Sequence, residues 1–308
     1  MFSNIFENFC ILFPENPLYP TKIDDNFIAE ANVAKINGFE ILIFNLEELI
    51  SKNSQKQSTR LINSSDKIQK VIYRGWMLKI SEYNTLYNEL LSKNYQLINS
   101  PKEYKNCNYL PESLKFIRER TPKTIFEKFE NNCSIDTLIE KSTIFGANPV
   151  IIKDYVKSEK HYWKSACFVP DASNITFLDL SIKNLIKLRG EDLNEGIVIR
   201  EFIQLNDLIL HPKSKMPLTE EYRLFFTNKK LLGIYNYWGE IEHNTEFPET
   251  YDFEEIAEKI ESNFFTMDIA RQKTGEIIVI ELGDGQVAGI PENTDVSLFY
   301  KKLKCCLL

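Results

Sequence analysis

Two carboxylates near the C-terminus of this 308-residue chain are spaced to face each other across a hairpin. The segment reads Phe264-Phe-Thr-Met-Asp268-Ile-Ala-Arg-Gln-Lys-Thr-Gly275-Glu-Ile-Ile-Val-Ile-Glu281-Leu-Gly-Asp284-Gly. Apolar runs flank Lys273-Thr274-Gly275-Glu276, which reads as a four-residue hairpin loop. Pairing Gln272 with Ile277 places Asp268 directly opposite Glu281. Like charges so opposed destabilise a sheet, so the pair calls for a cation. Asp284, in a Gly-Asp-Gly turn, supplies a third oxygen ligand. Hard oxygen ligands with room for water and phosphate suit magnesium. A solvated hairpin with scattered acids has the same spacing, and both readings stay open at this point.

The cations follow the same two-way pattern. In Val150-Ile-Ile-Lys153-Asp-Tyr-Val-Lys157-Ser, period-two alternation sets Lys153 and Lys157 on one strand face. Two ammonium groups there either cradle phosphate oxygens or guard a solvent-facing edge. Glu195-Gly-Ile-Val-Ile-Arg200-Glu201 is a buried strand that ends in opposite charges. Its exit from the core either offers backbone groups to an adenine edge or carries a surface ion pair. Glu221, Arg223 and Phe225 share a face. The planar fork of Arg223 fits a phosphate, and it fits a cross-strand carboxylate as well. Tyr73-Arg74-Gly75-Trp76 has a glycine that permits close backbone approach, with Arg74 reaching towards a ligand. The histidines at 161, 211 and 243 form no metal spacing. Nucleophile-elbow, P-loop and zincin motifs do not occur.

The elements that must hold these residues fall into two textures. Cys10–Phe13 reads as a strand, Asp24–Asn37 as a helix with Asp24 at its N-cap and Gly38 as its stop, and Glu40–Phe44 as a second strand. Residues 51–66 are rich in Ser, Gln, Asn and Lys and read as a mobile loop. Val71–Tyr73, a helix over Glu82–Lys93 capped by Ser81, and Tyr95–Ile98 complete an α/β lobe over residues 1–120. Beyond Thr121-Pro122 strands dominate: Val150–Val156, Cys167–Val169, Gly196–Gln204, Glu221–Phe226, Leu231–Tyr237 and the terminal hairpin. Helices are expected at Ile135–Phe145, Asn174–Arg189 and Phe253–Asn263. Residues 121–308 therefore read as an α+β portion.

Composition sets limits. A net charge of −7, from 37 basic and 44 acidic residues, argues against general nucleic-acid binding. The six cysteines (10, 107, 133, 167, 305 and 306) lack CxxC spacing and read as reduced thiols. The apolar N-terminus carries Glu7 and no basic region, unlike a signal peptide, and no run of about 18 apolar residues suggests a membrane span. A cytoplasmic protein is expected.

In their order along the chain, Tyr-Arg-Gly-Trp (73–76), Lys-Asp-Tyr-Val-Lys-Ser (153–158), Gly-Ile-Val-Ile-Arg-Glu-Phe (196–202), Glu-Tyr-Arg-Leu-Phe (221–225), Met-Asp-Ile-Ala (267–270) and Glu-Leu-Gly-Asp-Gly-Gln-Val (281–287) resemble the ATP-grasp superfamily, closest to the third family of its R-two-K clade. The resemblance covers about residues 70–295. It implies an ATP-grasp-like architecture. Lys153 and Lys157 would contact ATP phosphates, the Arg200-Glu201 region would lie beside adenine, and Arg223 would stabilise the transferred phosphoryl group. Asp268, Glu281 and Asp284 would hold Mg2+. Glu-x-x-Asp replaces the commoner Glu-x-Asn metal motif, which makes Asp284 the outlying ligand. Such enzymes phosphorylate a carboxylate for attack by an amine or thiol. An unknown carboxylate and amine, free or carried on a protein, are therefore the implied partners. The same clade holds a chaperone that assembles translation initiation factor 2. A nucleotide-binding assembly factor is therefore the alternative.

The final residues, Lys301-Lys-Leu-Lys304-Cys305-Cys306-Leu307-Leu308, fit a prenylation box with Cys305 as acceptor and lysines upstream. An apolar tail packed on the domain, or frayed, is the other reading of these residues. Membrane association is expected only through a lipid on Cys305.

Overall fold

The computed structural model describes residues 9–51, 57–129, 135–210, 217–239 and 246–307. Residues 52–56 of the expected loop, Cys133, His211, His243 and Leu308 lie outside the described residues. The chain divides into two compact units, one of Met1–Cys107, Tyr222–Met267 and Gly283–Leu308, the other of Asn108–Glu221 and Asp268–Leu282.

The first unit begins with strands β1 (Phe9–Pro14), β2 (Glu40–Phe44), β3 (Gln69–Tyr73) and β4 (Tyr95–Leu97), connected through helices α1 (Ile28–Ile36), α2 (Leu46–Ile50) and α3 (Ile80–Leu91) and followed by α4 (Pro101–Asn108). The strands pair in parallel in the order β2-β1-β3-β4. A parallel sheet is covered on both faces, so its strands are apolar throughout and not alternating. Cys10 and Leu12 accordingly join Tyr83, Leu86 and Leu90 of α3 in one core. Ile11 and Phe13 join Ala31 and Ala34 of α1 in the other.

The second unit adds helix α5 (Leu110–Ile117), strand β5 (Thr124–Lys128), helix α6 (Ile135–Ser142), strands β6 (Val150–Asp154) and β7 (Phe168–Val169), helix α7 (Ile175–Arg189) and strands β8 (Gly196–Glu201), β9 (Asp207–Leu210) and β10 (Pro217–Thr219). An antiparallel sheet runs β5-β8-β6-β7, with β9 and β10 a separate pair. The last stretch brings β11 (Glu221–Thr227), β12 (Lys230–Asn236), helix α8 (Tyr251–Ala257), β13 (Phe264–Arg271), β14 (Ile277–Asp284) and helix α9 (Val296–Leu307). These four strands form a sheet ordered β12-β11-β13-β14. Phe225, Phe264, Phe299, Tyr300 and Leu303 pack into the same core as Ile11 and Phe13, which is why two late stretches of chain belong with the N-terminal one.

Several expected boundaries move for local reasons. The Asp24 carboxylate caps a 3-10 turn over Asp25–Phe27, accepting from Asn26 N at 2.9 Å, and not α1 itself, which starts at Ile28 with Phe27 at its N-cap and no side-chain cap. Gly38 stops it with φ +80°, and the Lys304 ammonium donates to the Asn37 and Gly38 carbonyls at 3.0 Å each. Ser81 is not the cap of α3. The helix starts earlier, and Glu82 reaches back to Lys79 N at 2.8 Å, the carboxylate half of a capping box. Helix α8 ends at Ala257, six residues short of the expected Asn263.

At the chain's end, Cys305–Leu307 form the last turn of α9. Cys306 and Leu307 pack against the core, and the Cys306 carbonyl accepts from Asn228 Nδ2 at 3.1 Å. The tail is packed, and nothing in the structure supports a lipid anchor on Cys305. Among the described residues no helix is long and apolar enough to cross a membrane.

The capping assignment gives the first expectation. Glu82→Ala should lower the unfolding free energy by about 1 kcal/mol, the net worth of one such hydrogen bond. Ser81→Ala should stay within about 0.5 kcal/mol of the parent. Urea unfolding of the two variants checks it, and the reverse order would restore Ser81 as the cap.

Candidate functional site

In the second unit the antiparallel register of β6 and β8 sets Arg200 opposite Ile151 and Val198 opposite Lys153. Side chains alternate along each strand, so these four share one face. Val150, Ile152, Ile197 and Ile199 take the other face and pack on Leu138 of α6 and on Leu178, Ile182 and Leu185 of α7. One face of the sheet is thus closed by helices, and the cations stand on the other.

Lys153 Nζ lies 3.3 Å from Glu281 Oε2, with the lysine side chain 11% exposed and the glutamate 41%. Arg200 is buried. Its terminal nitrogens donate to the Ile280 carbonyl at 2.5 Å, to the Val279 carbonyl at 3.2 Å and to Thr121 Oγ1. Burial pushes its pKa down to about 10, against the pull of Glu281. Its Nε is buried without a hydrogen-bond partner, and a guanidinium nitrogen so placed is costly unless something accepts from it.

Lys157 does not share the strand face of Lys153. Strand β6 stops at Asp154, and Lys157 lies on the turn that follows. Alternation failed here because the Asp154 side chain captures the backbone amides of Val156 and Lys157, the habit of an Asx turn. Lys157 is still electrostatically close to the other cation. Desolvation of its ammonium lowers its pKa, Lys153 and Arg189 lower it further, and Glu281 and Asp154 oppose them.

The hairpin differs from its expected form at one end. Gly275 N donates to the Gln272 carbonyl at 2.9 Å, and Gln272 N to the Glu276 carbonyl at 2.8 Å. The loop is therefore three residues, with Gly275 at φ +92°, and not the expected four closed by Gln272 and Ile277. At the other end Gly285 N donates to the Phe264 carbonyl at 3.0 Å, and a Cβ on Gly283 would lie 2.7 Å from Thr266 Oγ1. Two residues on from Thr266 and Gly283 come Asp268 and Glu281, and period two returns them to that face. Asp268 is buried at 4% exposure.

Sequence reasoning missed an aromatic group on the cationic face. Phe168 of β7 pairs with Ile151. Its ring stacks on Trp163 at 5.2 Å and 4° and meets Phe202 edge-on at 5.0 Å. Trp163 is 38% exposed. No periodicity links these three positions, since Trp163 sits in a short π-helical turn.

The remaining candidates belong to the first unit. Arg74 is 3% exposed. Its Nε and Nη2 donate to Glu30, the closer contact being 2.6 Å. Its Nη1 donates to the carbonyls of Gly285, Gln286 and Ala288 at 2.7, 3.2 and 2.8 Å. All three nitrogens are committed, so Arg74 clamps the backbone after β14 and does not reach towards a ligand. Asp284 is fully buried. It accepts from Asn99 Nδ2 at 2.6 Å, from Gln286 N at 2.9 Å and from Gln286 Nε2 at 3.1 Å. Burial raises its pKa to about 7 despite those donors. Arg223 donates to the Gly289 carbonyl at 3.0 Å and lies 4.7 Å above the Tyr237 ring. Among the described residues no group of three or more His, Cys, Asp or Glu side chains is placed to hold a metal ion.

Residues 144–303 match the family model for the ATP-grasp domain of the R-two-K clade, family 3. Among solved structures, the chain is similar to a RimK domain protein ATP-grasp from Sphaerobacter thermophilus, with a TM-score of 0.60, 12% identity and 97% and 99% of the two chains covered. It is also similar to the D-cycloserine synthetase DcsG, with a TM-score of 0.60, 9% identity and 96% and 98% covered. A third is the ATP-grasp ligase PsnB complexed with precursor peptide PsnA2 and AMPPNP, with a TM-score of 0.53, 13% identity and 99% of each chain covered. At these identities the likeness shows the fold alone, an ATP-grasp fold. No curated protein matches the sequence.

Two expectations follow from the buried charges. Arg74→Met strands the Glu30 carboxylate and should cost about 3–5 kcal/mol, read as a lowered urea midpoint; a change within about 0.5 kcal/mol would remove the clamp. For Asp284, a raised carboxyl pKa means that the folded protein keeps a proton the unfolded chain has released. Its contribution to stability is therefore full below about pH 4 and lost as pH rises through about 7. Unfolding free energies measured across that interval should fall more in the parent than in Asp284→Asn; equal slopes would contradict the assignment.

Proposed function

The chain belongs to family 3 of the R-two-K clade of ATP-grasp domains, and from that premise we propose that it is an ATP- and Mg2+-dependent ligase that activates a carboxylate as an acyl-phosphate for attack by an amine. The observation that carries this reading is the single sheet face bearing Lys153 and Arg200, with Glu281 against Lys153 and the Lys157 ammonium close by. A cationic face with a carboxylate beside it suits a phosphate chain that arrives with a metal ion.

The residues fit both groups. Lys153 and Lys157 would neutralise phosphate oxygens. Phe168 and Phe202 present rings for a base beside the Arg200-Glu201 strand end, and the unpartnered Arg200 Nε offers it a donor. Asp268 and Glu281 would hold the magnesium ion. Magnesium commonly takes one or two protein carboxylates and fills its octahedron with water and phosphate, so no third acid is needed. Asp284, buried, with a pKa raised to about 7 and committed to Asn99 and Gln286, is better suited to holding the end of β14. When bound, the metal would offset charge on the transferred phosphoryl group. Arg223 is assigned to that phosphoryl group through motif order alone. The protein's share is positioning and electrostatics, with no protein nucleophile. The neighbours whose names include a peptide precursor support a peptide or protein as acceptor.

Calorimetry with AMPPNP tests the reading. Affinity should depend on magnesium in the parent and lose that dependence in Asp268→Asn. Lys153→Ala should bind about tenfold or more weakly, the worth of a charge-assisted contact. With an acceptor from a fractionated cell extract, products should be ADP and phosphate. Appearance of AMP and pyrophosphate would overturn the acyl-phosphate route. Tight nucleotide binding with no turnover on any fraction would favour an assembly factor.

A further inference from the structure

We propose that Asp154 is the positioning residue of the turn that carries Lys157, and that its carboxylate sets this lysine in place for the nucleotide's phosphates. The inference rests on the nucleotide reading above. Asp154 is fully buried and stands on the helix-covered face of β6, opposite Ile197. Its two oxygens serve two pieces of chain. Oδ1 accepts from the backbone amides of Val156, at 2.7 Å, and of Lys157. Oδ2 accepts from Arg189 Nε at 3.0 Å, Asn194 N at 3.2 Å and Asn194 Nδ2 at 3.0 Å. One oxygen holds the lysine turn, and the other ties it to the end of α7 and the start of β8. The turn closes through Asp154 N, which donates to the Lys157 carbonyl at 2.9 Å. Arg189 reinforces the far side by donating to Glu159 at 3.2 Å.

All five contacts to the carboxylate are donors, so the site has the chemistry of an anion. An asparagine would bring an NH2 group against amides or a guanidinium that have no lone pair to offer. The effect on the ligand would be indirect, since Asp154 faces away from Lys153 and reaches the phosphates only by fixing Lys157.

A double-mutant cycle on AMPPNP affinity with magnesium, read by calorimetry, separates positioning from general support. Asp154→Asn and Lys157→Ala should each weaken binding by about tenfold. The double variant should bind no worse than Lys157→Ala, because the aspartate acts only through that lysine. Additive losses would overturn the proposal. Hydrogen exchange without nucleotide supplies a second reading: the Val156 and Lys157 amides should exchange faster in Asp154→Asn, and unchanged rates would overturn it. Should Asp154→Asn fail to fold, Asp154→Ser, whose single oxygen cannot serve both pieces of chain, carries the same cycle. A parent protein that does not bind AMPPNP at all would sink the nucleotide reading and this inference with it. Binding by the parent with an additive cycle would sink this inference alone.

Discussion

A guanidinium taken out of water must find acceptors for every nitrogen, and the first unit is arranged so that Arg74 does. The residue closes β3. Its partners are Glu30 on α1 and the three carbonyls that follow β14. Tyr300 of α9 donates its hydroxyl to the same Glu30 at 2.5 Å. One ion pair thereby joins a strand, two helices and the Gly-Gln-Val-Ala segment. Asn99 does the complementary work at the end of β4. Its amide accepts from Asn263 N and Phe264 N and donates to the Phe264 carbonyl and to Asp284. Between them these two side chains bind three separated stretches of sequence into one body.

The second unit solves the opposite problem. It must hold cations on the sheet face opposite its helices, where Arg200 is buried and the Lys153 side chain is 11% exposed. Helices α6 and α7 take the alternate residues of β6 and β8, so the apolar side of each strand is consumed. Lys153 is paired with Glu281, and Arg200 is tethered through uncharged backbone carbonyls. The arrangement holds positive potential in place at the cost of one unsatisfied nitrogen on Arg200. A ligand that brings an acceptor would recover that cost.

Where local pattern and tertiary demand agree, the sequence is readable. The parallel strands show as apolar runs because both their faces are covered, and Asp24, Asn174 and Gly38 punctuate helices by rules that act over a few residues. The stretch over α4 escapes reading because Pro101-Lys-Glu-Tyr-Lys-Asn-Cys-Asn is polar nearly throughout, with Tyr104 its main core anchor. Strands β9 and β10 are too short to carry a period, and β9 is largely exposed. In the candidate site, residue types are legible and their employment is not. Arg74 looks like a ligand contact until its acceptors, more than two hundred positions away, are known. Asp154 looks like a mere spacer between two lysines, although an aspartate two residues before a backbone amide is itself a turn signal.

The clamp at Arg74 also bears on how the protein is made. Its carbonyl acceptors begin 211 residues downstream, and Asn99 waits about as long for Asp284. At about 5–20 residues per second of synthesis, roughly 10–40 s pass with Arg74 already made and paired only with Glu30, its carbonyl acceptors still missing. The usual order, in which an N-terminal domain finishes before the next one starts, is closed to this chain. Its first unit is completed only when α9 emerges, so the nascent chain must be shielded or kept loose until then.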